Sequence, residues 1–259
     1  MKISLITAAF NSASTIRDTF DSVLAQSYDD YEYIVVDGLS SDGTVDIIKE
    51  YEPEFAGKMR WISEKDSGLY DAMNKGIRMA TGEVVGILNS DDFFTSNTVL
   101  ESVSRGFLVP ETDAVYADVR YVKQNDPRSV VRHYSSKGFR RWKMRMGLIP
   151  AHPSFYARRE LFEKFGFYRT DYRIAADFEL LLRFIFVHRI KTSYIPETFV
   201  TMRMGGASTS SFKVHFRIMK EHLRAFKQNG CHTNVFFLSL RYGGKIYDLI
   251  KARLKKLFN

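Results

Sequence analysis

Short apolar, β-rich runs alternate with helical patterns over the first hundred residues, and each run ends in a polar cluster. That arrangement constrains the fold more than any other feature of the chain. Lys2–Thr7 is the first such run. Residues 14–26 place Ile16, Phe20, Val23 and Leu24 at helical spacing, with Ser14 as a candidate N-cap. Tyr33–Val36, Met59–Ser63 and Val84–Leu88 read as the next strands. Thr44–Tyr51 and Leu69–Ala80 read as helices, the second closed by Gly82. Alternation at this spacing predicts a mainly parallel sheet covered on both faces. Such sheets bind ligands beyond the carboxyl ends of their strands. The polar clusters at 7–11, 37–42, 64–68 and 89–92 fall there.

The remainder is less regular. Asp113–Val122, Ser154–Ala157 and Thr198–Met204 read as strands, and Asp177–Val187 as an apolar helix. Residues 123–153 read as loop-rich and basic. From Phe212 the pattern is helical, with a break near Asn229–Gly230. A chain of 259 residues, 45% hydrophobic, can bury one large α/β domain with an appendage. The lone Cys231 excludes an intramolecular disulfide framework and fits a reducing compartment. The N-terminal MKISLITAAF lacks the core and cleavage site of a signal peptide, and no apolar run has the length to span a bilayer. The formal charge of +8 suits phosphates, nucleic acid or an anionic membrane and does not choose among them.

Two clusters bear directly on chemistry. In Asn89-Ser90-Asp91-Asp92 the paired carboxylates at a strand end can hold a hard divalent cation, or can simply cap a helix. In Asp37-Gly38-Leu39-Ser40-Ser41-Asp42-Gly43-Thr44, Asp37 can accept from a base N–H, or the run can be a turn and helix cap.

Taken in order, SLITAAFNSASTI, YIVVDGLSSDGT and SEKDSGLYDAMNKGIRMATGEVVGILNSDD resemble family 2 glycosyltransferases of the GT-A fold. Those usually read T-P-T-Y-N, V-D-D-G-S-x-D-G-T, E-x-D-x-G-x-x-x-A-x-N-x-G and L-x-x-D-D. The resemblance continues through AADFELLLRF to RMGGAST. It implies an α/β GT-A catalytic domain over 1–210, with a nucleotide-sugar half at 1–110 and an acceptor half at 111–210, and a helical C-terminal extension at 211–259. It also implies roles. Thr7, Ala9 and Asn11 lie beside the nucleotide, and Asp37 binds the base, usually uracil. Lys65, Asp66 and Gly68 line the ribose and diphosphate side near Asn74. Asp91 sits by the ribose and metal, and Asp92 is the main protein ligand of Mn2+ or Mg2+. Asp177 falls at the catalytic base, at a helix start whose dipole favours the ionised carboxylate. Two positions depart from the pattern: Ala8 replaces proline, and Asn89 replaces an aspartate, lowering the charge at the metal.

The implied reaction is an inverting displacement at the anomeric carbon, with Asp177 taking the acceptor's proton. A hydrolase needs a second, acidic carboxyl across the scissile bond, and no residue marks one. His152 and Arg203 are weaker candidates, for the acceptor or a phosphate and for the closing loop that 205–208 resembles. In the tail, Ile246, Leu249, Ile250, Leu254, Leu257 and Phe258 share a helical face, and Lys245, Lys251, Arg253, Lys255 and Lys256 crowd the rest. Such a helix lies in an anionic membrane interface or docks on its own domain. The expectation is a bacterial surface-polysaccharide transferase. It is cytoplasmic and peripheral on the inner face of the membrane, acting on a glycan or lipid-linked acceptor. A non-catalytic nucleotide-sugar or membrane-surface binder with the same fold is the competing reading. No nucleic-acid signature is present, and no G-x-G-x-x-G follows the first strand.

Overall fold

A computed structural model describes residues 1–205 and 212–240. Gly206–Ser208 of the expected closing loop and the basic tail lie outside the described residues.

The first half is a set of parallel strands. β1 (Ile3–Ala9), β2 (Tyr31–Asp37), β3 (Met59–Ser63) and β4 (Val84–Ile87) stand in the order β3-β2-β1-β4. The chain runs outward from β1 through β2 to β3 and returns to the other side of β1 with β4. The register runs from Ile3 opposite Tyr31 to Ala9 opposite Asp37. β1 and β2 are buried along their whole length, which is why they read as continuous apolar runs. Their side chains divide by the two-residue period. Ile6, Ala8, Ile34 and Val36 enter one core, where α3 (Leu69–Met79) packs Tyr70, Met73 and Ile77. Ile3, Leu5, Tyr33 and Val35 enter the other. There α1 (Ile16–Leu24) supplies Ile16, Phe20 and Val23, and α2 (Thr44–Tyr51) supplies Ile48. Each such side chain, fully buried, stabilises the fold by about 1.5–3 kcal/mol. The α1 N-cap is Thr15 rather than Ser14, and its hydroxyl donates to Ser90 O at 2.9 Å and accepts no bond from the helix's own N–H groups.

The second half extends the same sheet. β5 (Phe93–Phe94), α4 (Val99–Gly106), β6 (Ala114–Lys123), β7 (Asp126–Tyr134), β8 (Tyr156–Arg158), α5 (Arg159–Phe165), α6 (Ala176–Leu181) and β9 (Thr192–Arg203) follow in sequence. The full order is β3-β2-β1-β4-β8-β6-β9-β5, with β7 paired to β6. β8 runs antiparallel to β4 and β6, whereas β6 and β9 are parallel. Two readings are corrected. Residues 126–134, expected as loop, form the hairpin strand β7, and β9 begins at Thr192 rather than Thr198. The helix expected over 177–187 is α6 followed by a π-helical turn, Leu182–Val187. Beyond β9, α7 (Phe212–Gln228) and the short α8 (Val235–Ser239) follow, and no described helix is long and apolar enough to cross a membrane.

Candidate active site

A cleft of about 660 Å³ opens over the carboxyl ends of β1 and β4. Phe10, Asn11, Ser12 and Thr15 line it from the β1–α1 turn, and Asn89 to Asp92 from the end of β4. His152, Ile174 and Asp177 line it from the opposite wall, and Tyr121 and Arg203 from the extended half. Asp177, far in sequence from the adjacent Asp91 and Asp92, therefore shares one cavity with them.

The Asn89–Asp92 turn is anchored by its neighbours. The Ser12 and Ser90 hydroxyls bond at 2.8 Å, Thr19 Oγ1 donates to Asp92 O at 2.7 Å, and Arg203 Nη1 donates to Asp91 O at 2.6 Å. Arg203 is buried, lies over the Phe93 ring at 5.1 Å and pairs with Asp18. It buttresses the turn, a use the sequence did not disclose. Asp92 is 2% exposed. Burial first, and then the nearby Asp91, push its carboxyl up to about 8, against the opposing Asn89 bond. Asp91 is raised as well, chiefly by burial.

This turn fits a hard cation. Asn89 Nδ2 donates to Asp92 Oδ2 at 3.0 Å, and Asn89 Oδ1 is buried with no hydrogen-bond partner among the described residues. Two carboxylates and an orphaned amide oxygen are the donor set that Mg2+ or Mn2+ takes together with substrate phosphates. Among the described residues no group of three or more His, Cys, Asp or Glu could enclose a metal. Any cation held here must complete its shell from water or a bound diphosphate.

On the opposite wall, Asp177 is the second residue of α6, half-buried, with Oδ1 accepting from Phe178 N at 2.7 Å. Burial is the largest influence and raises its pKa, while the charge of His152 works the other way. The expected lowering by the helix dipole is therefore outweighed by desolvation. His152 begins a 3-10 turn, and its Nε2 bonds the Tyr168 hydroxyl at 2.6 Å. Burial lowers its pKa, so the imidazole is held neutral. The Tyr168 ring stacks on Tyr70 at 5.8 Å, and Tyr70 donates to Ile174 O at 2.5 Å. Neither tyrosine was expected here, although Tyr70 lies inside the DSGLYDAMNKG segment.

Several expected nucleotide contacts sit beneath the cleft instead. Thr7 is fully buried, its hydroxyl bonded to Tyr33 at 2.8 Å and to Leu88 O at 2.7 Å. Ala9 is buried in the core. The Asp37 carboxylate is fully buried and accepts from Ser40 N, from the Ser40 hydroxyl and, at 2.6 Å, from the Ser63 hydroxyl. It fixes the 38–42 loop rather than facing the cavity. Asn74 is buried and clasps Tyr168 through both its backbone N–H and C=O, at 2.9 and 2.8 Å. Lys65 is exposed, and its carbonyl accepts from Lys75. Asp66 accepts from Gly68 N at 2.8 Å and lies against Gly38, where an added Cβ would come within 2.4 Å of its carboxylate. Gly68 lines a neighbouring cavity of about 410 Å³ that meets the main cleft at Leu69, Tyr70 and Arg173. Asn11 faces the cleft as expected, its Oδ1 accepting from Ser41 N at 2.9 Å.

Residues 4–167 match the family model described as glycosyl transferase family 2. The chain belongs to that family. This glycosyltransferase is 37% identical over 186 residues to an uncharacterized glycosyltransferase of Mycobacterium tuberculosis, covering 70% of this chain and 68% of the relative. It is 30% identical over 181 residues to a PGL/p-HBAD biosynthesis glycosyltransferase of Mycobacterium bovis, with the same coverage. Its fold is that of S. aureus TarS, at TM-score 0.67 and 18% identity over 87% of this chain and 40% of TarS. The truncated TarS in complex with UDP-GlcNAc gives 0.68 at 17% identity, over 66% of that chain. A mannosyltransferase of Pyrobaculum calidifontis in complex with GDP-Man and Mn2+ gives 0.64 at 22% identity, covering 87% of this chain and 63% of that one. The enzyme has the GT-A fold.

Proposed function

We propose that this enzyme is an inverting, divalent-cation-assisted transferase that moves a sugar from a UDP-sugar to a hydroxyl of a lipid-linked glycan. The observation that carries the reading is the shared cleft, with Asp91 and Asp92 at the end of β4 and Asp177 facing the same space from α6. Asp92, Asp91 and Asn89 Oδ1 would hold Mn2+ or Mg2+, which when bound supplies positive charge against the leaving diphosphate. His152, bonded to the Tyr168 hydroxyl, lines the same cleft as Asp177, so an ordered polar group shares the wall that carries the base. Asp177 accepts the acceptor hydroxyl's proton as that oxygen bonds to the anomeric carbon. The bond from that carbon to the diphosphate breaks on the opposite side, which inverts the centre.

A uridine donor is supported by the motif resemblance and by the UDP complexes of TarS, not by Asp37, whose carboxylate is occupied. The lipid-linked acceptor and a position on the cytoplasmic face of the membrane rest on the family resemblance and on the basic amphipathic tail.

The test is a thermal-shift panel of UDP-glucose, UDP-galactose, UDP-GlcNAc and GDP-mannose with and without Mn2+, on the wild type and Asp92→Ala. A ligand bound only by the native state raises its melting temperature by mass action. Stabilisation by a UDP-sugar that needs both Mn2+ and Asp92 is expected. Equal stabilisation of the Asp92→Ala variant removes the metal assignment, and stabilisation by GDP-mannose alone removes the uridine assignment.

A further inference from the structure

The turn that delivers Asp177 is held from outside the sheet. Glu221 lies within α7, and its carboxylate accepts three consecutive backbone N–H groups. Arg173 N reaches Oε1 at 3.1 Å, and Ile174 N and Ala175 N reach Oε2 at 3.0 and 2.8 Å. Ala175 caps α6, and Asp177 follows two residues later. Successive N–H groups converging on one anion form a nest, and hydrogen bonds to a charged acceptor are roughly twice as strong as neutral ones. α6 has no side-chain cap of its own.

Other α7 groups brace the flanks of the same segment. Arg224 pairs with the Asp171 carboxylate and donates to its carbonyl at 3.0 Å. Tyr172 Oη donates to Gln228 at 2.7 Å, and the His222 ring stacks on Phe178 at 3.7 Å. Among the described residues, Glu221 alone bonds the backbone N–H groups of 173–175.

We propose that Glu221 is a positioning residue for glycosyl transfer: by gripping the backbone of 173–175 it sets where the Asp177 carboxylate stands in the cleft. Helix α7, outside the family-model match, thereby joins the catalytic machinery. The inference rests on the reading of Asp177 as the base.

Glu221 also acts by charge. It is a like charge facing Asp177 and disfavours ionisation there, whereas His152 and the Phe178 N–H favour it. The Tyr70 and Tyr168 phenols, both held protonated by burial, complete the titratable surroundings.

The experiment follows nucleoside diphosphate release from the nucleotide sugar that the panel selects, with Mn2+ and with water as acceptor, as a function of pH. Donor affinity by calorimetry and melting temperature are measured on the same preparations. Glu221→Ala is expected to lower turnover about 10²-fold, the cost of displacing a reacting group by about 1 Å, with donor affinity unchanged. Glu221→Gln keeps one accepting oxygen and should fold. Its turnover should fall less, and its acid limb should move to lower pH, because a neighbouring like charge has gone. A side chain that merely anchored α7 would lower the melting temperature and leave the acid limb in place. That result overturns the inference, as does a parallel loss of donor affinity and turnover. If Glu221→Ala does not fold, the glutamine variant decides alone. Asp177→Asn separates the two layers. Normal turnover in that variant removes the base itself. An inactive Asp177→Asn beside a wild-type profile in Glu221→Gln removes only the role of Glu221.

Discussion

Asn89 donates its amide N–H to the Asp92 carboxylate at 3.0 Å and leaves its own Oδ1 buried without a partner among the described residues. A buried acceptor without a donor costs about 1–3 kcal/mol, so the arrangement is incomplete on its own terms. A cation bound between the Asp91 and Asp92 carboxylates would satisfy that oxygen and reverse the upward push on Asp92. The same geometry explains why an asparagine is tolerated where the family usually has an aspartate. In the absence of metal, its N–H group relieves a crowded pair of acids.

Asn89→Asp is therefore expected to lower the melting temperature of metal-free protein and to enlarge the stabilisation by Mn2+. The added carboxylate loses the bond to Asp92 and crowds two acids, both raised by burial. A Mn2+ shift no larger than that of the wild type would show that residue 89 does not face the cation.

Glu32 predicts an acid limit to stability. It is buried on β2, and burial alone would raise its pKa, but the Ser4 hydroxyl, Thr81 N–H and hydroxyl, and Arg60 outweigh that and bring it down to about 2. A carboxyl lowered in the folded state adds stability above its unfolded pKa of about 4.3 and loses it as pH falls toward the folded value. Glu32→Gln should thus be less stable than wild type at neutral pH, on the order of 2–3 kcal/mol. The difference should shrink between about pH 4.3 and pH 2. Urea unfolding at several pH values checks it, and a constant difference across that window would refute the linkage.

Gly86 on β4 faces the fully buried Tyr156 ring, where an added Cβ would lie 2.1 Å from Cε1. Gly86→Ala is expected to cost about 1–3 kcal/mol by overpacking the strand that carries the Asn89–Asp92 turn. Tyr156 Oη is buried without a partner among the described residues, so Tyr156→Phe should be neutral or stabilising. Chemical denaturation measures both, and a destabilised Tyr156→Phe would mean that the hydroxyl has a partner in solution.

On the reading of the basic tail as a membrane-seeking element, deleting residues 245–259 is expected to release the enzyme from anionic liposomes while leaving Mn2+-dependent UDP binding intact. Unchanged sedimentation with the liposomes would place membrane contact elsewhere.

What could be read from the sequence follows the physics of periodicity. β1 and β2 announce themselves because both faces are buried, and α1 and α3 because one face is. β7 left no such imprint: it is an edge strand, exposed along nearly its whole length, with Pro127 and charged residues in it. The hydrogen bonds that the motif residues make within the fold could not be read from the motifs. Thr7, Asp37 and Asn74 spend their polar atoms on Tyr33, on Ser40 and Ser63, and on Tyr168, building the loops on which the cleft rests. Glu221 was illegible because its partners lie 46 to 48 residues earlier and are backbone groups, which leave no trace in residue type.

The base assignment is the sharpest test of the site. Asp177 and His152 line the same cleft, and each alters the other's protonation: His152 favours the ionised carboxylate, and Asp177 favours the protonated imidazole. Burial opposes both charges and is the larger influence in each case, which leaves a carboxyl with a raised pKa beside a neutral imidazole. Asp177→Asn keeps the size of the side chain and an oxygen able to accept from Phe178 N. The fold and donor affinity should survive, because a general base acts on the acceptor and not on the donor. What the amide cannot do is take a proton, so kcat should fall by about 10²–10⁴-fold, the usual worth of general-base assistance. His152→Gln should have a smaller effect on kcat. Turnover and melting curves on the same preparations distinguish the outcomes. If Asp177→Asn transfers normally while His152→Gln is inactive, the imidazole is the base, and its bond to Tyr168 is what orients it.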